Sequence, residues 1–443
     1  MPILSFRAVK SEADQNFDPG SQSPYIICQN YQRLASSIAK NPNAPPTTRV
    51  SEDGMSISYK EHTLHIPTWR AGLAKLISDV ESELDELCGG EDFGLSVPAV
   101  VPDDWTNDTR GYSWVHNDPN HFGLPWGENH IPPLFLKVLK EGIIGSKIHG
   151  RFHRNKTAMT ALLVKCDKLC EKIFLLVFFA VGQPPRVAEI LDYKFANSTR
   201  GRNMFYHDGA IWFLNRRLKT ESLTGKESSI ASKASERVTK AIERYILLVR
   251  PFEKELIHHL TNEEDRQKTR QLYSEYLWIQ SGVKMTLKDL YESIHTFLSG
   301  ECNMDAGPRT YRQICVEIGR VYLGSEAEIH AEERNLLANQ MGHSPELRRS
   351  HYASEVGHLP GMSSDLLLRY GRISGGWWEV IGFKTGTPPL EPLRIRQQLA
   401  DAAAADAAAK RDEATESLLS IVESLRKEVK RLEARAGGAQ REG

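Results

Sequence analysis

The sequence predicts a mainly α-helical protein with a small β-hairpin or sheet, an α+β fold, and three observations support it. Apolar residues recur at helical spacing in "TWRAGLAKLISDVESELDELC" (68–88) and in "KTAMTALLVKCDKLCEKIFLLVFFAVG" (156–182). Asp208-Gly209 separates two apolar, β-rich runs, which is a strong hairpin signal. From residue 398 the chain becomes Ala-rich, with high helix propensity.

Length and composition limit the classes to which the chain can belong. At 443 residues it is expected to form two globular parts plus extensions. The net charge of −1 does not by itself indicate a nucleic-acid partner. The six cysteines are scattered without a paired CxxC motif, which disfavours a zinc module and favours reduced, intracellular thiols. The longest apolar run (173–182) is too short to span a bilayer, and the first residues lack a signal peptide's apolar core, so we expect a soluble, intracellular protein without a membrane partner.

The first third of the chain is a mixture of loops and short elements. "SISYKEHTLHI" alternates weakly and predicts a hairpin, and the helix that follows is expected to end at Gly89-Gly90. "PPLFLKVLKEGIIG" (132–145) has helical spacing. The basic stretch "SKIHGRFHRNK" (146–156) is either a solvated interdomain linker or a segment that follows a phosphate backbone. In the second case its cations would contact DNA: Lys147, Arg151, Arg154 and Lys156.

Helical patterns dominate the rest of the chain. "SERVTKAIERYILLVRPFEKELIHHL" (235–260) predicts a helix, and helical patterns continue from about 262 to 350 with breaks at Gly300 and at Gly307-Pro308. Residues 363–384 are expected to be a packing segment. In the tail, apolar residues follow the 4-3-4-3 spacing of heptad a and d positions, which indicates either a self-associating coiled coil or a single surface helix: Leu418, Val422, Leu425, Val429 and Leu432.

Several cations stand at turns and helix starts. Arg186 follows a proline-rich turn and precedes Glu189 by three residues; alone, it is typical of a salt-bridged helix start. Lys219 and Lys226 alone are ordinary turn lysines. Arg309 and Arg312 share a face at the start of a helix, where the macrodipole disfavours cations. This placement indicates either that an anion binds near the helix start or that the segment is a solvated basic turn.

In chain order these residues precede "MGHSPELRRSHYA", in which Tyr352 follows His343 by nine positions. The order Arg, hairpin Lys, Arg-x-x-Arg, Gly-His-Ser and Tyr resembles the tyrosine recombinase (integrase) family over roughly residues 157–384. "GQPPRVAEI" is similar to that family's Gly-x-Arg-x-x-Glu segment. By this resemblance the paired arginines are Arg186 and Arg312, the second histidine is His343, and the nucleophile is Tyr352.

The resemblance also implies an architecture. Residues 1–150 would be a helical, loop-rich DNA-binding region, residues 151–385 the catalytic domain, and residues 386–443 a linker and coiled-coil tail. Lys219 would be the hairpin lysine, with Lys226 as the alternative. Arg309 stands where the family's first His belongs, and this departure together with the loop-rich front half resembles the Crypton-type recombinases of eukaryotic transposable elements. If the chain is eukaryotic, the nucleus is the expected location.

The chemistry that the resemblance implies fits these residue types. Arginine clamps phosphate oxygens bidentately, and two such clamps would stabilise the charge that develops on them during transesterification. His343 would donate a further hydrogen bond, Tyr352 would attack to form a 3′-phosphotyrosyl bond, and Lys219 would protonate the leaving 5′-oxygen. The phosphotyrosyl bond would retain the energy of the broken bond, so neither ATP, metal nor another cofactor is expected. No acidic metal cluster is evident near these residues, which agrees with this expectation.

Local charge agrees with a DNA partner. Between Arg186 and Arg244 there are 12 Lys/Arg and 7 Asp/Glu, a net charge of +5 inside a neutral chain. Arg216 and Arg217 belong to this basic region and are expected DNA contacts, as is Lys226. The chain is therefore predicted to be a DNA-integrating recombinase that assembles as a homo-oligomer on double-stranded DNA. The alternatives are a recombinase-fold protein that binds DNA without cutting it, a type IB topoisomerase, and a helical scaffold.

Overall fold

The computed structural model describes residues 23–39, 47–98, 100–116, 122–124, 131–148, 151–217, 228–324 and 364–439. Backbone contacts group the chain into two compact units, residues 1–49 and residues 50–443. The first unit contains helix α1 (Pro24–Ala39), and strand β1 (Thr48–Val50) lies at the boundary. The functional boundaries predicted near residues 150 and 385 stay predictions.

Secondary structure is mainly helical with small antiparallel sheets, so the α+β prediction is confirmed at this level. The second unit contains eleven further α-helices among its described residues: α2 (Ile66–Cys88), α3 (Pro133–Lys140), α4 (Lys156–Ala180), α5 (Val187–Ile190), α6 (Glu236–Arg244), α7 (Arg250–Leu260), α8 (Glu263–Glu275), α9 (Leu287–Glu301), α10 (Pro308–Ile318), α11 (Ser364–Ile381) and α12 (Leu393–Ala439). Two π-helical segments continue helices: π1 (Tyr245–Val249) joins α6 to α7, and π2 (Gly319–Leu323) extends α10.

The predicted Asp-Gly hairpin is confirmed and belongs to a three-stranded antiparallel sheet. Its strands are β6 (Met204–His207), β7 (Ala210–Arg217) and β8 (Ser228–Lys233), with β7 in the centre. Asp208 and Gly209 both have positive φ, 49° and 67°, as the turn that matches strand twist requires. Arg217 pairs with Ser228, so residues 218–227 connect two directly paired strand ends.

Two other predictions from the first third of the chain are confirmed. "SISYKEHTLHI" contains strands β2 (Ser56–Tyr59) and β3 (His62–His65), which pair as an antiparallel hairpin. Helix α2 ends at Gly89, whose φ of 64° gives the left-handed cap that favours glycine.

Residues 146–156, interpreted from the sequence as a basic linker, contain paired strands, and their role as linker or DNA contact stays a prediction. Strands β4 (Gly145–Ile148) and β5 (Arg151–Arg154) pair there as an antiparallel hairpin. The β-favouring Ile148 and Phe152 lie among basic residues, which mask the alternation that would indicate a strand. A further short hairpin, β9 (Ile279–Gln280) with β10 (Val283–Lys284), interrupts the helical run predicted after residue 262.

The core of the second unit is built around α4. All its side chains from Ile173 to Ala180 are buried, so the apolar run lies against neighbouring helices rather than on one amphipathic face. Phe179 packs against Tyr311 of α10, with ring centroids 4.8 Å apart, and its carbonyl accepts a hydrogen bond from Trp377 Nε1 of α11 at 2.9 Å. Residues 364–381 therefore form a packing helix, as the sequence indicated. Among the described residues, no helix is both long and apolar enough to cross a membrane.

Candidate functional site

The platform that carries Arg312 is the buried face of α10. Tyr311, Ile314, Cys315 and Ile318 of this helix are buried, and the Tyr311 ring packs on Phe179 and on Trp69 of α2, at centroid distances of 4.8 and 6.4 Å. Burial raises the pKa of Tyr311 well above its ordinary range, so this tyrosine is a packing residue. Because Arg312 directly follows Tyr311, the aromatic packing fixes where its side chain begins.

Arg186 lies at the start of the short helix α5, after Pro184 and Pro185. Its backbone is extended (φ −67°, ψ 142°), as the turn into a helix requires. The Glu189 carboxylate accepts a hydrogen bond from the Arg186 backbone N–H at 3.0 Å and lies 3.5 Å from its guanidinium. The salt-bridged helix start is confirmed. The Arg186 side chain remains 45 % exposed, so the guanidinium is accessible to a ligand.

The structure connects these two regions directly. Arg312 Nε donates a hydrogen bond to the Pro184 carbonyl oxygen at 3.0 Å, although the two residues are 128 positions apart. Arg312 is only half-buried, so this contact holds the side chain beside the turn that leads into Arg186 without enclosing it. The two arginines that the family resemblance pairs therefore lie on adjoining segments of the fold.

Arg309 lies one turn before Arg312 and is exposed. It borders a cleft of about 210 Å³ between the start of α10 and the turn of the β2–β3 hairpin. The hairpin contributes Tyr59, Lys60, Glu61 and His62 to this cleft. Lys60 has a φ of 55°, and Glu61 Oε1 lies 3.2 Å from His62 Nε2. The neighbours of Arg309 in this cleft thus carry charges of both signs and come from a segment about 250 residues earlier in the chain.

The two hairpin lysines lie outside the described residues. Lys219 and Lys226 both fall in the 218–227 connection between β7 and β8, and the second strand ends at Arg217, close to where the sequence indicated. Arg216 and Arg217 are the last residues of β7, and nothing is described of their side chains. The choice between Lys219 and Lys226 as the hairpin lysine stays open.

The remaining predicted residues divide into two groups. His343 and Tyr352 lie within 325–363, outside the described residues, so the structure does not test the histidine and the nucleophile. In the basic hairpin, Arg154 ends β5 and Lys156 begins α4, and both side chains are exposed. For Lys147 and Arg151 the structure gives the strand position alone.

Sequence reasoning did not identify the hairpin residues Lys60 and His62 as neighbours of Arg309. Both belong to a segment that the sequence indicated only as a weak hairpin, and no spacing rule relates it to the start of α10. What joins them is tertiary packing: the Tyr322 hydroxyl, just beyond α10, donates a hydrogen bond to the Gly54 carbonyl at 3.2 Å.

Within the described ranges, no group of three or more His, Cys, Asp or Glu side chains could hold a metal ion. No protein-family model matches the chain, and no solved structure matches it.

Proposed function

We propose that this chain is a site-specific DNA recombinase or transposase that cleaves and rejoins DNA through a 3′-phosphotyrosyl intermediate. The observation that carries the proposal is the 3.0 Å hydrogen bond from Arg312 to the Pro184 carbonyl. This contact holds Arg312 beside the turn that leads into Arg186, which supports the proposal that both guanidinium groups bind one phosphate. The order of Arg186, Lys219, Arg312, His343 and Tyr352 along the chain supplies the rest of the argument.

Each group has a distinct task in the proposed reaction. The two arginines bind the non-bridging oxygens of the scissile phosphate and stabilise the charge that grows there. The same positive field lowers the pKa of a nearby phenol, which favours attack by Tyr352 as the phenolate. The Tyr352 oxygen forms a bond to phosphorus, the bond from phosphorus to the 5′-oxygen breaks, and Lys219 supplies the proton to that leaving oxygen. Attack by another 5′-hydroxyl reverses these steps and rejoins DNA.

The decisive experiment is a covalent trap. A nicked duplex carrying the sequences that flank the coding region is incubated with the full chain, and adducts are resolved on a denaturing gel. We expect an adduct that Tyr352→Phe abolishes. Tyr291→Phe, which alters an exposed tyrosine on α9, is the matched control and keeps the adduct. If Tyr352→Phe still forms the adduct, the assigned nucleophile is wrong; if the wild-type chain forms none while binding the duplex, the chain binds DNA without cutting it.

The two arginines of α10 provide a second test. Removing one preorganised donor to a charged transition state costs about 10²–10³ in rate. We expect Arg312→Ala to slow adduct formation by about this factor, and Arg309→Ala, at the exposed neighbouring position, to slow it less. Arg312→Lys keeps the charge without the bidentate geometry and is expected to rescue only part of the rate. Equal losses at the two positions would instead make Arg309 part of the phosphate clamp.

A further inference from the structure

A cavity of about 300 Å³ lies away from the candidate arginines, and neither Arg186, Arg309 nor Arg312 borders it. One wall is formed by consecutive turns of π1 and α7, and another by α8. Residues of the segments 115–116 and 122–124, together with Pro132 and Phe195, complete the described boundary. Most of this lining is apolar or aromatic, including Val115, Phe122, Leu124, Phe195, Leu247 and Tyr273. Such walls suit the body of a small organic molecule.

Two cations stand together at one side of the cavity. Lys254 of α7 and Arg270 of α8 both border it, and both are half-buried. A second cleft, of about 560 Å³, is bordered by the same two residues, so the cations lie where the two spaces adjoin. An anionic group entering from the second cleft would meet both side chains before its remainder reached the apolar walls.

The third cation of the cavity is already neutralised. Arg250 lies 3.2 Å from the Glu253 carboxylate and also donates a hydrogen bond to the Leu277 carbonyl. Among the described residues that line the cavity, Glu255 is the acidic one, and its carboxylate lies 3.3 Å from His259 Nε2. Glu255 is thereby paired with His259, although its charge still acts on Lys254 and Arg270.

Lys254 makes no hydrogen bond or ion pair with any other residue that the structure describes. The Arg270 guanidinium lies 3.1 Å from the ring nitrogen Nδ1 of His258. Burial, together with the charge of Arg270, lowers the pKa of Lys254. The charge of Arg270 outweighs that of the Glu255 carboxylate at Lys254, so the two cations repel each other on balance, and an anion between them would offset that repulsion.

We propose that this cavity binds a small organic anion, with its apolar body against the aromatic walls and its carboxylate, sulfonate or phosphate head between Lys254 and Arg270. The π-helical segment π1 supplies Ile246 and Leu247 to the wall, and such segments occur frequently at functional sites. The proposal is independent of the recombinase chemistry, because it uses none of the candidate residues for cleavage.

The test uses a pair of fluorescent probes that share an aromatic body and differ in charge: anilinonaphthalene sulfonate and uncharged phenylnaphthylamine. Both are titrated into the full chain and followed by fluorescence. We expect the sulfonate to bind at least about five-fold more tightly than the uncharged amine, a difference of roughly 1 kcal/mol. Lys254→Met, which keeps an apolar stem without the charge, is expected to weaken the sulfonate at least about five-fold and to leave the amine unchanged.

Lys268→Met is the matched control, since it removes an exposed cation from the same helix as Arg270 and is expected to leave both affinities unchanged. Arg270→Gln tests the head-group site from the second helix and replaces Lys254→Met if that variant fails to fold by circular dichroism. Equal wild-type affinity for the two probes would overturn the proposal. So would a sulfonate affinity that survives both substitutions, because the probe would then be bound elsewhere.

Discussion

Helices α4 and α12 differ in the burial of their apolar side chains. The second half of α4 is buried on every side, and Phe179 lies at its end against Tyr311 and Phe297, both at 4.8 Å between ring centroids. Along α12, by contrast, the described side chains from residue 397 to 431 are all exposed. The stability of α4 therefore comes from packing, whereas α12 relies on helix propensity and leaves an apolar stripe for another surface.

The charged residues also differ in burial between the helices around α4 and helix α12. Glu243 of α6 is buried and accepts a hydrogen bond from the Tyr206 hydroxyl at 3.0 Å, and burial raises its pKa to about 7. Asp406 of α12 pairs in solvent with Lys410, one turn along, at 2.8 Å. Exposed pairs of this kind contribute about 0.3–0.5 kcal/mol. The residues that decide stability are thus expected to lie around α4 and the three-stranded sheet, not along the tail.

The largest expected effect is that of Phe179→Ala. The substitution removes a fully buried ring between two aromatic neighbours, and truncations of this kind cost about 3–5 kcal/mol in the free energy of unfolding. Urea denaturation followed by circular dichroism measures it. Val164→Ala lies on the same helix at a position that is 43 % exposed, and we expect it to cost under about 1 kcal/mol. Similar losses for the two variants would contradict the contrast between buried and exposed faces of α4.

The second expected effect is a change of the free energy of unfolding with pH that comes from Glu243. Its folded pKa of about 7 exceeds its ordinary value of 4.5, so the folded chain retains a proton that the unfolded chain loses between these pH values. This contribution is therefore favourable below about pH 4.5 and falls as the pH rises through 7, by about 3 kcal/mol in total. Glu243→Gln keeps an acceptor for Tyr206 and cannot ionise, so it should unfold at higher urea than the wild type at pH 8.

The quantity to compare between variants is the slope of the unfolding free energy against pH between pH 5 and 8. Asp103, whose pKa burial raises to about 6, contributes to that slope in the same direction, so the difference between Glu243→Gln and the wild type is the informative quantity. Glu236→Gln, at the exposed start of the same helix, is the matched control and should leave the slope unchanged because its carboxylate is ionised throughout. A slope that Glu243→Gln does not reduce would mean that this carboxyl is ionised in the folded chain.

Local signals in the sequence predicted much of this fold. Gly89 ends α2, Asp208-Gly209 forms the hairpin turn, and α10 starts at Gly307-Pro308, because each rests on backbone geometry that few residue types allow. The hairpin within residues 145–154 could not be predicted, because basic residues hide its strand alternation. The cleft beside Arg309 could not be predicted either, since only tertiary packing brings the hairpin residue Lys60 to it.

Substitutions in the tail are expected to change the free energy of unfolding least. Self-association is therefore the measurement that tests this helix. Leu418 and Leu425 occupy d positions, Val422 and Val429 occupy a positions, and all four side chains are between 44 % and 62 % exposed. Valine at a with leucine at d favours two-stranded parallel coiled coils, so we expect a second copy of α12 to cover this stripe. The tail starts from a fixed point, because Arg396 donates a hydrogen bond to the Tyr322 carbonyl at 2.6 Å.

Leu425→Glu places a charge in the centre of that stripe, and we expect it to shift sedimentation velocity towards the monomer while urea unfolding of the remaining chain is unchanged. Ser424→Glu adds the same charge at the adjacent exposed position outside the stripe and should leave the sedimentation profile of the wild type intact. Equal sedimentation for the wild type and Leu425→Glu would make α12 a single surface helix. In that case the proposed recombination, which needs several protomers on two DNA sites, would require an assembly surface other than α12.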